Sequence, residues 1–220
     1  MPIAFFDLDL TLLSVNSGSL WIRREVALGR LPLRRALRAA TWLAQYQLGL
    51  TSQASMIAKA IASAAGESAA ELAARTASFF ETQVRSRYRP GGLAALEAHR
   101  AAGDRLVLLS SSSHFMAELV AKDLRLDAIL CNRLEVGADG RLTGLTVGPV
   151  CFGEGKLVAA RAALQGESLD RCTFYTDSYS DLPVLEAVGR PVVVHPDWRL
   201  ARHAKQRGWA SVDWMGPVQA

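Results

Sequence analysis

The chain has 220 residues, half of them hydrophobic and 21% charged, which fits a globular protein and excludes a disordered or low-complexity one. Its length gives one large domain, or a core with a modest insertion. A net charge of +4 and a pI near 9.2 favour anionic partners in general, whether phosphorylated metabolites, nucleic acid or lipid headgroups.

The run Ile3-Ala4-Phe5-Phe6 has the character of a buried strand, and it stops abruptly at Asp7 and Asp9. Residues two apart on an extended chain point to the same side. Two carboxylates there repel each other and are costly to desolvate, so a positive partner is expected beside them. A hard cation such as Mg²⁺ suits them, because it takes one or two protein carboxylates and leaves room for substrate phosphate. A solvated Asp-rich turn is the alternative, and this motif alone leaves both open. With a strand starting at residue 3, no secretory leader is expected.

From residue 17 to 88 strand signals vanish, and Ala, Leu, Arg and Gln dominate. Gly29, Gly49-Leu50-Thr51-Ser52 and Gly66-Glu67-Ser68 punctuate this stretch into roughly four helices. Thr51 with Ala54, and Ser68 with Glu71, mark helix starts; the second fits a capping box. The longest uncharged stretch, 39–58, carries Gln45, Gln47, Thr51, Ser52, Gln53 and Ser55, too polar for a membrane span. Arg89-Pro90-Gly91-Gly92 reads as the hinge that returns the chain to the core.

Strands and helices then alternate. A helix over 92–102 leads to the strand Arg105–Leu109, which ends in Ser110, Ser111, Ser112 and Ser113. A helix over 114–124, an apolar run from Ala128 to Cys131 and a hairpin around Asp139-Gly140 follow. Gly153-Glu154-Gly155-Lys156 opens another helix, and the strand Cys172–Thr176 ends in Asp177-Ser178-Tyr179-Ser180-Asp181. A short helix, the strand Pro191–Val194 and a helix over 197–206 close the pattern. Alternation of this kind predicts an α/β fold, a three-layer, doubly wound parallel sheet with a helical insertion after its first strand. Ligands bind beyond the carboxyl ends of such strands, so Asp7 and Asp9, Ser110, and Asp177 and Asp181 should converge in one crevice.

These motifs, in this order, resemble the haloacid dehalogenase (HAD) superfamily, and within it the phosphoserine-phosphatase-like hydrolases of subfamily IB. The resemblance is carried by Asp7-Leu8-Asp9-Leu10-Thr11, Ser110, Lys156 and Asp177-Ser178-x-x-Asp181-Leu182-Pro183, with support from Gly140–Gly144 and Pro196–Leu200. It implies that Asp7 is the nucleophile that becomes an aspartyl-phosphate, and that Asp9 is the general acid and base. Asp7, Asp177 and the backbone carbonyl of Asp9 would hold Mg²⁺, with Asp181 and Ser178 in support. Ser110, Ser111 and Lys156 would bind the phosphoryl oxygens. The superfamily places a substrate-selecting cap between its first two motifs. The resemblance therefore divides the chain into a catalytic core of 1–16 and 89–220 and a cap of 17–88.

Two positions depart from the family pattern. Leu10 stands where Gly, Ser or Asn is common. Asn16 stands where phosphoserine phosphatases carry a Glu for the substrate's amino group, which disfavours phosphoserine. Asn16, Ser17 and Arg23 are candidate substrate contacts in the cap. Its basic side, with Arg23, Arg24, Arg30, Arg34, Arg35 and Arg38 against Glu25 and with Trp21, Trp42 and Tyr46 nearby, reads as a solvated face. An anionic substrate or a membrane surface is the other partner such a face would suit. Cys131, Cys151 and Cys172 follow no metal or disulfide spacing and suit a reducing cytoplasm. His99, His114, His195 and His203 lack ligand spacing.

The expected function is Mg²⁺-dependent hydrolysis of a small phosphorylated metabolite, with no nucleic-acid partner. A phosphotransferase using the same intermediate and a non-catalytic phosphate- or lipid-headgroup-binding protein are the alternatives.

Overall fold

The computed structural model describes residues 1–30, 41, 53–164, 166 and 168–215. Its main sheet contains β1 (Ile3–Phe6), β2 (Arg105–Ser113), β3 (Ala128–Asn132), β6 (Thr173–Thr176), β7 (Arg190–Val194) and β8 (Ala210–Val212). These lie in the order β3-β2-β1-β6-β7-β8 and pair in parallel throughout. The family resemblance and the strand–helix alternation thus led to the correct fold class.

β1 lies in the middle, and all four of its residues are buried because helices cover both faces of the sheet. Its period-two alternation sorts side chains between two cores. Ile3 and Phe5 join Val107, Leu109, Phe174, Leu157, Leu185 and Leu200 on one face. Ala4 and Phe6 join Leu106, Leu108, Leu96, Val120, Phe79 and Val84 on the other. Each such side chain contributes about 1.5–3 kcal/mol by burial, so a one-residue slip of β1 would reverse every contact.

The helices are α1 (Ser17–Ala27), α2 (Gln53–Ser63), α3 (Ala69–Phe79), α4 (Pro90–Ala101), α5 (His114–Leu124), α6 (Glu154–Ala163), α7 (Leu182–Leu185) and α8 (Trp198–Arg207). The capping box at α3 is present, with the Ser68 hydroxyl accepting from the Glu71 N–H at 3.3 Å. The predicted start at Thr51 and the side chains of Arg34, Arg35, Arg38, Trp42 and Tyr46 lie outside the described residues. Among the described residues no helix is long and apolar enough to cross a membrane.

Three details differ from the sequence expectation. β2 runs on through its serines to Ser113, because β3 continues to pair with it, Ser113 facing Asn132. Arg89-Pro90-Gly91-Gly92 is less a hinge than a helix start: α4 begins at Pro90, whose fixed φ and missing N–H suit the first helical position. β8 had no sequence signature, being three residues long, too short for a pattern to register; its pairing with β7 supplies the order. Trp214, just beyond β8, packs so closely on Gly91 that a Cβ there would lie 2.5 Å from the indole.

The hairpin of β4 (Leu134–Val136) and β5 (Leu142–Thr146) stands apart from the main sheet. It is stitched to the turn before α3: Gly66 N–H donates to Leu142 O at 2.8 Å, Leu142 N–H to Glu67 O at 2.9 Å, and Ala69 N–H to Gly140 O at 3.0 Å. The arginines at the end of α1 are not a solvated face throughout. Arg75 bonds Glu25 at 2.6 Å and Glu67 at 2.5 Å, and Arg24 and Arg30 approach the same buried Glu25 at 3.5 and 3.7 Å.

Candidate active site

The sheet register brings the polar strand ends together. Phe6 pairs with Leu108 and with Tyr175, so Asp7 lies level with Leu109 and Thr176, and Ser110 and Asp177 follow one residue on. Asp7 stays in the sheet pattern through its N–H, which donates to Tyr175 O at 2.9 Å. Beyond it the chain makes a wide irregular turn, Leu8–Leu12.

Lys156 is the hub of the site. It is 2% exposed, and its Nζ donates to Asp7 Oδ1 at 2.8 Å and to Asp181 Oδ2 at 2.7 Å. An ammonium has three donors, so one remains for a third oxygen. Glycine sets this placement: a Cβ at Gly155 would lie 1.9 Å from Val150 O, so only glycine lets the start of α6 approach so closely.

The charges do not balance. Burial, with Asp181 and Asp177 nearby and Lys156 opposing, pushes the Asp7 carboxyl up to about 8. Burial likewise raises Asp177 to about 7, against a hydrogen bond from Thr11. For Lys156, burial works against the charge, but Asp181 and Asp7 outweigh it and hold the ammonium well above its ordinary value. Asp181 is almost fully buried; Thr176 Oγ1 donates to its Oδ2 at 2.6 Å, while its Oδ1 has no hydrogen-bond partner among the described residues.

Asp9 is half-buried and is held by the start of α1, where the Ser17 N–H donates to its Oδ1 at 2.9 Å. Burial raises its carboxyl above the ordinary range, and the Ser17 contacts oppose that rise. Leu10 has φ 59, ψ −1. This is the left-handed region, which costs a non-glycine residue roughly 1–2 kcal/mol and explains why small or turn-forming residues suit the position.

A model of the haloacid dehalogenase-like hydrolase family matches residues 4–186, a span that contains every one of these groups. The chain belongs to this family. It is 34% identical over 212 residues to phosphoserine phosphatase SerB1 of Mycobacterium tuberculosis, covering 94% of this chain and 68% of that one. It is 30% identical over 213 residues to a histidinol-phosphatase of Neisseria meningitidis serogroup C, covering 94% of this chain and 96% of the relative. Among solved structures, a protein with unknown function from Bordetella pertussis Tohama I superposes with a TM-score of 0.89. That pair is 30% identical, and the match covers 97% of this chain and 98% of the other. Within its family the chain is a phosphatase, a phosphoric monoester hydrolase.

In this HAD phosphatase, direct contacts join Asp7, Lys156 and Asp181. Asp177 is tied in through Thr11, whose Oγ1 donates to its Oδ1 at 3.1 Å. Other sequence candidates take their hydrogen bonds elsewhere. Ser110 is buried, its Oγ accepting from the Ser112 N–H at 3.2 Å. Ser111 offers its carbonyl to Asn132 Nδ2 at 2.6 Å. The Ser178 hydroxyl pairs with that of Ser180 at 2.8 Å. Asn16 caps α1, its Oδ1 taken by the Ser19 N–H at 2.8 Å, and Arg23 is exposed on the same helix.

The sequence reasoning missed what Thr11, Thr176 and the Ser17 N–H do. Thr11 and Thr176 are fully buried hydroxyls beside Asp carboxylates, a pairing that only the fold reveals. The donor set suits Mg²⁺: oxygens only, with an excess of carboxylates over cations. Among the described residues no three His, Cys, Asp or Glu side chains form a metal-binding group. Mg²⁺ makes do with one or two protein carboxylates when substrate phosphate and water complete its shell. Burial pushes the thiols of Cys151 and Cys131 up to about 12 and about 11, which removes them as nucleophiles near neutrality.

Proposed function

We propose that this phosphatase is Mg²⁺-dependent and cleaves a small phosphomonoester through an aspartyl-phosphate on Asp7. The observation that carries the reading is Lys156 Nζ, 2.8 Å from Asp7 and 2.7 Å from Asp181, at the head of a cluster with more carboxylates than cations. Ionised Asp7 attacks phosphorus, and the departing alcohol takes a proton from Asp9. A water then attacks the acyl phosphate and gives its proton back to Asp9, which releases inorganic phosphate and restores Asp7. The raised proton affinity of Asp9 suits the first of these steps, since the group must arrive protonated.

Lys156 and the Ser110 hydroxyl, with the nearby Ser111, would hold the phosphoryl oxygens. Lys156 would also offset charge that builds up during transfer. Asp181 orients Lys156, and Ser178 shapes the turn between Asp177 and Asp181. Bound Mg²⁺, held by Asp7, Asp177 and the Asp9 carbonyl, would neutralise the carboxylates and polarise the phosphoryl group.

Residues 17–88 act as a cap over a core of 1–16 and 89–220. The similarity to proteins named phosphoserine phosphatase and histidinol-phosphatase supports a small alkyl phosphate as substrate. Phosphoserine is the less favoured of these two, because Asn16 is neutral and its amide oxygen is engaged at the helix start. The spacing of Cys131, Cys151 and Cys172 suits a reducing, cytoplasmic setting.

The test is turnover of p-nitrophenyl phosphate, phosphoserine and histidinol phosphate by the purified protein. Activity is expected with Mg²⁺, is lost with chelator, and is suppressed by excess Ca²⁺, whose larger and looser coordination misplaces the ligands. Full activity in chelator, or a trapped phosphopeptide that lacks Asp7, would overturn the reading.

A further inference from the structure

Arg89 is 7% exposed and takes no part in the scheme above. It sits where the insertion rejoins the core, and the two crossing segments are zipped together there. Tyr88 bridges Leu13, and the Ser14 N–H donates to Arg87 O at 2.9 Å. Arg89 reaches from this zipper into the active-site turn in two ways. Its backbone N–H donates to Leu12 O at 2.8 Å, and its Nη2 donates to Leu10 O at 3.3 Å. Its Nε is buried and has no hydrogen-bond partner among the described residues.

A guanidinium in this position is withdrawn from water without full compensation, which an apolar side chain would avoid. Burial disfavours its charge, and the carboxylates of Asp177 and Asp213 offset only part of that. The carbonyl it caps belongs to Leu10, the left-handed residue between Asp9 and Thr11. That peptide joins Leu10 to Thr11, so turning it changes ψ of Leu10 and with it the left-handed turn that follows Asp9. It also moves Thr11, whose hydroxyl bonds Asp177.

We propose that Arg89 is a positioning residue for the acid/base step: by holding the Leu10 carbonyl it fixes the left-handed turn and so the direction of Asp9. Lysine cannot replace it fully, because its flexible ammonium keeps the charge but not the rigid planar group that carries Nη2 to the Leu10 carbonyl. The inference rests on the acid/base role given to Asp9 above, and its test separates the two.

Arg89→Lys and Arg89→Met are compared with wild type and Asp9→Asn on p-nitrophenyl phosphate and on an alkyl phosphate, with circular dichroism as a check on folding. Both Arg89 variants are expected to lose kcat on the alkyl ester by roughly 10–100-fold with little change in KM. The loss in the first step on the aryl ester should be several-fold smaller, because a good leaving group needs little protonation. Arg89→Lys should fall between wild type and Arg89→Met. If the Met variant does not fold, the Lys variant carries the comparison, since it keeps the charge and most of the volume.

Equal losses on both esters, or no loss in a folded variant, would overturn the inference while leaving the proposed function standing. Asp9→Asn without leaving-group dependence would overturn the proposed function itself, and the role of Arg89 with it.

Discussion

Among the described residues of the phosphatase, two ionic clusters are drawn away from water, and they are built to opposite balances. Beyond the strand ends Asp7 and Asp181 share one ammonium, that of Lys156, with Asp177 close by on Thr11. Around α1 and α3 Glu25 and Glu67 meet Arg24, Arg30 and Arg75. The second cluster is closed in charge: its two acids face three guanidinium groups, Arg75 bridges both carboxylates across α1 and α3, and Arg24 and Arg30 stand 3.5 and 3.7 Å from Glu25 Oε1. The first is open in charge, with more carboxylates than its single ammonium can match; in both, one buried carboxylate oxygen, Asp181 Oδ1 or Glu25 Oε1, has no hydrogen bond among the described residues. An unbalanced buried cluster is costly, and function is the usual reason a fold keeps one. The imbalance, rather than burial or the number of charges, is what separates a site from a brace.

The hardest break in this comparison is Asp7→Asn. It is expected to remove turnover entirely while relieving the charge excess, so the protein should fold and melt at least as high as wild type in chelator. Retained phosphate release from p-nitrophenyl phosphate would show that the open cluster is not the chemical centre.

Asp9→Asn should cost up to roughly 10²–10⁴-fold on an alkyl phosphate and less in the first step on an aryl phosphate. Hydrolysis of the intermediate should slow for both, giving a burst and then stalled turnover. Rapid-quench product formation checks this, and small equal losses with no burst would remove Asp9 from its role.

The closed cluster is broken by Arg75→Met, which takes from Glu25 its hydrogen-bonded cation and leaves it only Arg24 and Arg30 at 3.5 and 3.7 Å. Leaving one partner of a buried pair uncompensated costs about 3–5 kcal/mol, and partial exposure of Arg75 places the expected loss toward the low end. Urea denaturation measures it, and kcat of the folded variant should stay within about threefold of wild type, as the pair lies outside the chemistry. A large fall in kcat with unchanged stability would reverse the distinction drawn here.

The smallest effect is a pH dependence of stability in chelator. Asp7 and Asp177 hold protons in the folded state up to about 8 and about 7, against 3.8 for the ordinary carboxyl. Their contribution is therefore full below about 3.8 and is lost as pH rises through 7 and 8. Melting temperature in chelator should fall across that window, more shallowly in Asp7→Asn, and Mg²⁺ should raise it most at the alkaline end. A wild-type melting temperature that climbs from pH 6 to pH 8 in chelator would contradict the charge excess.

Much of this was legible along the chain. β1 could be read from Ile3–Phe6 because a strand covered on both faces must be apolar throughout, and the Ser68–Glu71 capping box is a local contact that sequence spacing specifies. The Asp7, Ser110, Lys156 and Asp177 motifs and the HAD resemblance were equally visible, since Asp7, Ser110 and Asp177 follow apolar runs and Lys156 opens a helix behind Gly153 and Gly155. β8 was not legible: three residues carry too little pattern, and β7 alone makes them a strand. Glu25 reads as one acid among arginines, and nothing nearby in sequence marks it as buried against Arg75, 50 residues on.

By itself, then, the sequence determined the alternation of strands and helices and the residue types available at each strand end. These depend on local propensity and on the period of hydrophobicity, which a chain carries residue by residue. Only the tertiary structure decided which charges face one another. Lys156 lies 149 positions from Asp7, Thr11 lies 166 from Asp177, and Arg89 lies 79 from the carbonyl it caps. Hydrogen bonding and desolvation act over a few ångströms, so they are set by which strands the sheet brings side by side and not by order along the chain.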